Sequence, residues 1–356
     1  MSTNETLRYS RQITLEEIGE SGQKRLKEAK VLIVGMGGLG CPAALYLAAA
    51  GVGTLGIIDP DQVDMSNLHR QILYRSEDIG RHKVDVAKRE LHTLNPQLQL
   101  YSFPCRLQAS NCREIFSSYD IVLDATDNFE TRYLINDACF LLNKTNVFAS
   151  VTKFEGRLSV FSHGGPCYRC LYPTPPQELV LNCSEEGVLG VVPGILGTLQ
   201  ALEAIKQILG ITQPEYSNSV LLVDLLGMSF KSITIQKNPN CPLCGLTPSI
   251  TSLSSQAPKC QTMKWISPLE LSHWISQKHP FHLIDVREPH ETEKGTLRGA
   301  QLIPLSRILT EDTLHSEFLE SDAPKVLFCQ SGKRSQQAAL KWTAKGVKNI
   351  YQIEKG

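Results

Sequence analysis

The stretch VLIVGMGGLGCPAALYLAAAG, residues 31–51, constrains this chain more than any other. Val31 to Val34 is apolar at every position, as a parallel strand buried on both faces is, and Gly35, Gly37, Gly38 and Gly40 follow at once as G-x-G-x-x-G. A good helix former then runs from Pro42 and closes on Gly51. Strand, glycine turn and helix together aim backbone N–H groups at a phosphate. The next strand, TLGIID, ends on Asp59, near the ~20-residue spacing at which a dinucleotide fold places its ribose-binding acid. NAD and ATP carry the same adenosine ribose, so the turn selects neither, and a close-packed helix–strand contact is the structural alternative to a nucleotide site.

Charge excludes some partners. Lys plus Arg and Asp plus Glu are 36 each, so no whole-chain field draws the protein to nucleic acid or to a membrane. No apolar run reaches spanning length, and the polar start MSTNETLRYS does not read as a signal peptide, so a cytoplasmic location is expected. The 11 cysteines are then reduced thiols, suited to metal or sulfur chemistry rather than to a disulfide framework.

The length, 356 residues, fits two domains. From residue 29 to about 236 strands and helices alternate (AKVLIVG, TLGIID, QLQLYSF, YDIVLDATD, NVFASV), followed by an antiparallel-looking RLSVFS, which predicts an α/β domain on a mainly parallel sheet. The boundaries expected are residues 1–246 for this domain, 247–262 for a Pro-, Ser- and Thr-rich linker, and 263–356 for a second, smaller α/β domain.

Two C-x-x-C knuckles, CYRC (Cys167, Cys170) and CPLC (Cys241, Cys244), have the spacing at which one tight turn fills two corners of a tetrahedron. Together they predict a structural zinc site of four thiolates that pins the end of the first domain back onto residues 165–172. The alternatives are unrelated buried pairs or a redox motif, against which neither pair is expected to open a helix.

Polar groups crowd behind the nucleotide strands. Asn67, Arg70, Gln71 and Lys83 supply more positive charge and hydrogen bonding than NAD needs, as a triphosphate would use. Asp124 and Asp127 lie at the C-terminal end of YDIVLDATD, where ligands bind in open sheets and where Mg²⁺ fits. Singly, each has a plain alternative: Asp127 as a helix cap, Lys83 as part of a solvated helix face.

LRYSRQI, GMGGLG, DPDQVDMSNLHRQ, GRHK, DATDN, the CYRC/CPLC pair and NCSEEGVLG jointly resemble the MoeB/ThiF family of ubiquitin-activating-enzyme-like adenylyltransferases, over about residues 5–246. The resemblance implies a Rossmann-like domain that uses ATP and Mg²⁺ to adenylate the C-terminal glycine of a small ubiquitin-fold sulfur carrier (MoaD/ThiS-like) ending in Gly-Gly. By position, Gly38 lets the backbone approach the phosphates, Asp59 holds the ribose, and Asn67, Arg70, Gln71 and Lys83 surround the phosphates. Asp127 holds Mg²⁺, and Arg11 is supplied across a homodimer interface. Cys183 matches a cysteine that links covalently to the carrier in several relatives. A nearby helix N-terminus favours its thiolate, and Glu185 and Glu186 oppose it.

The second domain offers another thiol. In FCQSGKRSQQA, Cys329 ends an apolar strand and is followed by a loop feeding a helix, so that loop amides, the helix N-terminus, Lys333 and Arg334 favour an anion there. The C-x-x-G-x-R-S form, with LIDVRE and RGAQLIP upstream, resembles a rhodanese domain, whose loop cysteine carries a persulfide. Gly295–Thr296–Leu297 stands where such domains often have GHI, a change expected to lie away from the loop. The ending YQIEKG comes early, so a final helix is expected to be missing. An adenylating domain fused to a persulfide domain implies a thiocarboxylate synthase serving molybdopterin, thiamine or tRNA-thiolation chemistry, with thiosulfate or a cysteine desulfurase as sulfur donor. The alternatives are an NAD-dependent oxidoreductase with an appended rhodanese, and a non-catalytic scaffold that recruits ubiquitin-like proteins.

Overall fold

A computed structural model describes residues 3–175, 187–211, 218–253, 264–293, 295–310, 318, 321–330 and 332–353, without the side chains of Lys333 and Ala344. The chain divides into two compact units, Met1–Gln256 and Ala257–Gly356. The first unit therefore runs past the expected domain end at 246: Leu246 N–H donates to Pro239 O, Ile250 packs on the cysteine knuckle, and Leu253 packs against the core.

Eight strands form the first sheet, β1 (Lys30–Val34), β2 (Thr54–Ile58), β3 (Gln99–Phe103), β4 (Ile121–Asp124), β5 (Thr145–Thr152), β6 (Glu155–Phe161), β7 (Ser219–Asp224) and β8 (Ser229–Thr234). Their order is β3-β2-β1-β4-β5-β6-β7-β8, with β1 to β5 parallel and the rest antiparallel. The alternation of side chains along a strand splits the apolar runs between two cores. Val31, Ile33, Leu55, Ile57 and Leu123 face one core with helices Gly40–Ala50, Lys83–Leu94 and Val191–Leu209, whereas Leu32, Val34, Ile58 and Val122 face the other with helices Ala109–Ser117 and Phe129–Leu141.

Strand order reverses between β1 and β4, where Val34 pairs with both Ile58 and Asp124. Gly35, Asp59 and Ala125 thus leave the sheet side by side, at the crevice where open α/β sheets bind ligands.

The second unit is a five-stranded parallel sheet, in the order β11-β10-β12-β13-β9, of β9 (Lys264–Ile266), β10 (His282–Asp285), β11 (Gln301–Leu302), β12 (Lys325–Phe328) and β13 (Ile350–Ile353). One face packs on helices Leu305–Thr310 and Lys333–Ala344, the other on helix Pro268–Ser276. No helix among the described residues is long and apolar enough to cross a membrane.

Candidate functional site

The glycine turn has two kinds of glycine. Gly35 sits at φ 96°, where a Cβ would lie 2.6 Å from Ala125 O, and a Cβ on Gly40 would lie 1.9 Å from Gly35 O. Those two are required by the fold itself. A Cβ on Gly37 would meet only Gln71 Nε2, at 3.7 Å, and one on Gly38 would press on Pro193 at 3.0 Å.

Asp59 braces the turn from below. Its Oδ2 accepts Met36 N–H at 2.7 Å and its Oδ1 accepts Asp61 N–H at 2.8 Å, while Tyr74 Oη donates to Met36 O. Lys83, the first residue of helix Lys83–Leu94, is 4% exposed; its Nζ lies 2.9 Å from Asp61 Oδ2 and 4.0 Å from Asp59 Oδ1. A solvated-face reading of Lys83 is therefore wrong. Burial pushes the Asp59 carboxyl up, and the Lys83 ammonium opposes it.

Beside the turn, Arg70 donates to Ser66 O and to Asn67 Oδ1, and Arg70 Cγ would lie 3.6 Å from a Cβ on Gly38. Gln71 is buried with its Nε2 3.7 Å from where a Cβ on Gly37 would lie, and its Oε1 finds no hydrogen-bond partner among the described residues. At the end of β4, Asp124 is fully buried and accepts Thr126 N–H and Oγ–H, and burial pushes its carboxyl up. Asp127 is exposed at the mouth of the crevice. It does not cap the next helix: Asn128 does, accepting Thr131 N–H at 2.9 Å.

Asp59, Asn67, Arg70, Gln71, Lys83 and the four glycines thus form one connected group, with Asp127 two residues from the backbone that Gly35 touches. Arg11, exposed on helix Ser10–Ile13, makes no hydrogen bond or ion pair with them among the described residues. Cys183 lies outside the described residues. The chain is described again from Gly187, and a Cβ on Gly190 would touch His69 O, so the helix that follows Cys183 starts against the Arg70 segment.

Two residues of this region escaped the sequence reading. Gln200, fully buried, donates to Asp124 O and Val147 O, and Arg132 lies 3.9 Å from Asp124 Oδ2 and donates to Thr126 O. The signal for Gln200 was a lone amide inside an otherwise apolar helix face.

The four knuckle cysteines meet. All four Sγ atoms lie within 4.8 Å of one another, with Cys167–Cys241 at 3.6 Å and Cys170–Cys244 at 3.3 Å. A tetrahedron of ~2.3 Å Zn–S bonds has edges of about 3.8 Å, whereas a disulfide needs about 2.05 Å, so the cluster fits zinc. Burial pushes the Cys167 thiol up and the Cys244 thiol to about 12, so a divalent cation is what makes four neighbouring thiolates tolerable. Contrary to expectation, CYRC does open a helical turn, Tyr168–Leu171. Its sulfurs face those of the second pair all the same, and the turn is anchored by a buried bidentate Arg169–Asp137 pair at 2.7 Å.

In the second unit, Cys329 follows β12 and lies in a pocket of about 760 Å³. Ser335 N–H, in the first turn of helix Lys333–Ala344, points at Cys329 Sγ at 3.4 Å, with Ser335 Oγ at 3.6 Å. Gln352 on β13 holds that hydroxyl and Gly332 O, which fixes the loop. Arg334 is turned to Glu291, with which it forms a bidentate pair. Gly295, Thr296 and Leu297, expected away from the loop, line the Cys329 pocket. The reason is the tie between Asp285 and this segment: Thr296 Oγ donates to Asp285 Oδ2, and Arg287, paired to Asp285, donates to Gly295 O.

A parallel α/β nucleotide crevice with a thiolate knuckle, joined to a loop cysteine under a helix N-terminus, defines an adenylating enzyme with an appended sulfurtransferase unit. Residues 9–243 match the ThiF family and residues 267–356 the rhodanese-like domain. The chain is 41% identical over 372 residues to a "Probable adenylyltransferase/sulfurtransferase MoeZ" of Mycobacterium tuberculosis, covering 100% of this chain and 93% of that one. It is 49% identical over 249 residues to a "Sulfur carrier protein adenylyltransferase" of Thermus thermophilus, covering 68% and 92%. Among solved structures, E. coli MccB with ATP superposes with a TM-score of 0.58 at 25% identity, covering 67% of this chain and 74% of that one. The chain belongs to the ThiF family, among members that carry a rhodanese-like domain and are named for adenylyltransferase and sulfurtransferase activity.

Proposed function

We propose that the protein converts the C-terminal glycine of a small ubiquitin-fold sulfur carrier into a thiocarboxylate. The observation that carries this is the presence in one chain of a ThiF match and a rhodanese-like match. The carrier named by the Thermus relative and the ATP named with MccB support the substrates.

In the crevice the carrier carboxylate attacks the α-phosphorus of ATP, and pyrophosphate leaves. The protein contributes position and charge rather than a nucleophile. Gly37 and Gly38 leave room for the phosphates, the amide N–H groups of Gln71 and Asn67 are the donors available to phosphate oxygens, and Arg70 and Lys83 offset developing negative charge. Asp59 spends its near lone pairs on the turn, leaving the others for a ribose hydroxyl. Asp127 is a free carboxylate of the kind that holds Mg²⁺ together with substrate phosphates, and the ion supplies charge neutralisation when bound. Arg11 reaches the phosphates of the second subunit of a homodimer.

The Cys329 persulfide then attacks the acyl carbon, and AMP leaves, giving an acyl disulfide. The Cys183 thiolate attacks the Cys329 sulfur, which releases the thiocarboxylate and leaves a Cys183–Cys329 disulfide for a thiol reductant to open. Cys167, Cys170, Cys241 and Cys244 are the residues that would hold zinc, and with all four ligands supplied by the protein the ion would serve the fold rather than the chemistry.

ATP–pyrophosphate exchange in the presence of a Gly-Gly carrier tests the first step. Asp127→Ala is expected to lower exchange by about 10²-fold or more, the scale of losing one transition-state charge contact. Exchange at the wild-type rate removes Asp127 from the site.

A further inference from the structure

The wall of the Cys329 pocket contains a carboxylate to which sulfur transfer assigns no task. Glu291 lines the pocket, whereas Arg334, the cation of the cysteine loop, is not among the lining residues. Both terminal nitrogens of Arg334 donate to Glu291, Nη2 to Oε1 at 2.8 Å and Nη1 to Oε2. Glu291 is itself held in place, since its Oε2 also accepts Glu288 N–H at 3.0 Å. The other arginine of the wall, Arg287, is taken up by Asp285, with Nε at 3.0 Å and Nη2 at 2.6 Å. Each arginine near the cysteine is therefore matched by one carboxylate, and His290 is the remaining described basic group of the lining.

We infer that Glu291 is a specificity-determining residue: by holding Arg334 it keeps a free guanidinium from the sulfur donor, and so turns Cys329 away from dianionic donors and toward donors of lower charge, such as a persulfide. The inference rests on the reading of Cys329 as the persulfide carrier. The reaction at stake is attack of the Cys329 thiolate on the sulfane sulfur of thiosulfate. A new S–S bond forms, the old one breaks, and sulfite leaves with the electron pair. With methanethiosulfonate, a monoanion, the same attack expels methanesulfinate. In either case cyanide then takes the outer sulfur as thiocyanate and returns the thiolate.

A change of one unit in pocket charge acts with twice the energy on a dianion as on a monoanion at the same place. The full-length protein is therefore assayed for thiocyanate formation with thiosulfate and with methanethiosulfonate as donors. Glu291→Gln is expected to raise kcat/KM for thiosulfate about tenfold, through KM, and that for methanethiosulfonate only about threefold, as the squared relation requires. In Arg334→Met the same substitution removes the carboxylate charge without releasing a guanidinium, so its gain for thiosulfate is expected to be clearly smaller than in the wild-type background, and equal gains in the two backgrounds overturn the release of Arg334. Lys333 is present in every variant and cancels from the comparison. An unchanged thiosulfate KM in Glu291→Gln, or equal gains for both donors, overturns the inference while turnover of methanethiosulfonate shows the fold intact. If the wild type gains no sulfur at Cys329 by mass with either donor, the persulfide reading fails, and the inference with it.

Discussion

Glycines 37 and 40 share one turn and answer to different causes. A Cβ on Gly40 collides with Gly35 O at 1.9 Å, so Gly40→Ala is expected to cost ~3 kcal/mol or more and to lower Tm in a thermal melt. Gly37→Ala meets only the end of a glutamine side chain, so its Tm is expected to stay within a degree or two of the wild type while KM for ATP rises. A matching loss of Tm in both would mean that Gly37 serves the fold as well. The sequence alone names both as part of one motif and cannot separate them, because the separation depends on what the turn faces. Glu291 was not legible either: its partner Arg334 lies 43 residues on, and no local pattern joins them. Arg334 holds the Glu291 carboxyl at about 2, below its ordinary 4.5, so the pair contributes stability above pH 4.5 and loses it as pH falls toward 2. Acid titration of unfolding is expected to be shallower between these pH values in Glu291→Gln than in wild type. Equal slopes would show that the pair adds nothing to folding.

At the scale of elements, the apolar runs of β1, β2 and β4 were legible because they are buried on both faces. Strand β8 was not, since all six of its residues are exposed and no alternation marks it, and β9 and β11 are too short to carry a period. The cysteine knuckle was legible from spacing alone, whereas its anchor, the buried Arg169–Asp137 pair, was hidden by separation along the chain. Cys241→Ser removes one of four converging sulfurs. Zinc measured by elemental analysis of the purified protein is expected to be about one per chain in wild type and far below that in the variant, and the variant's Tm is expected to fall. Stoichiometric zinc in Cys241→Ser would mean that the cluster is not the binding site.

The whole molecule joins an activating crevice to a persulfide pocket, and the division into two units was legible from the restart of the α/β pattern after the Pro- and Ser-rich stretch. Neither half alone makes a thiocarboxylate: an acyl-adenylate without sulfur hydrolyses, and a persulfide without an activated acyl group has no electrophile to attack. The direct test is the intact mass of a Gly-Gly-terminated ubiquitin-fold carrier after incubation with the protein, ATP, Mg²⁺ and a sulfane donor, run with thiosulfate and with methanethiosulfonate, each component omitted in turn. The account predicts that one carrier oxygen is exchanged for sulfur only in the complete mixture, and that Cys329→Ala stops at the adenylate. A carrier that gains no sulfur in the complete mixture with wild-type protein, or that gains it equally with Cys329→Ala, would contradict it.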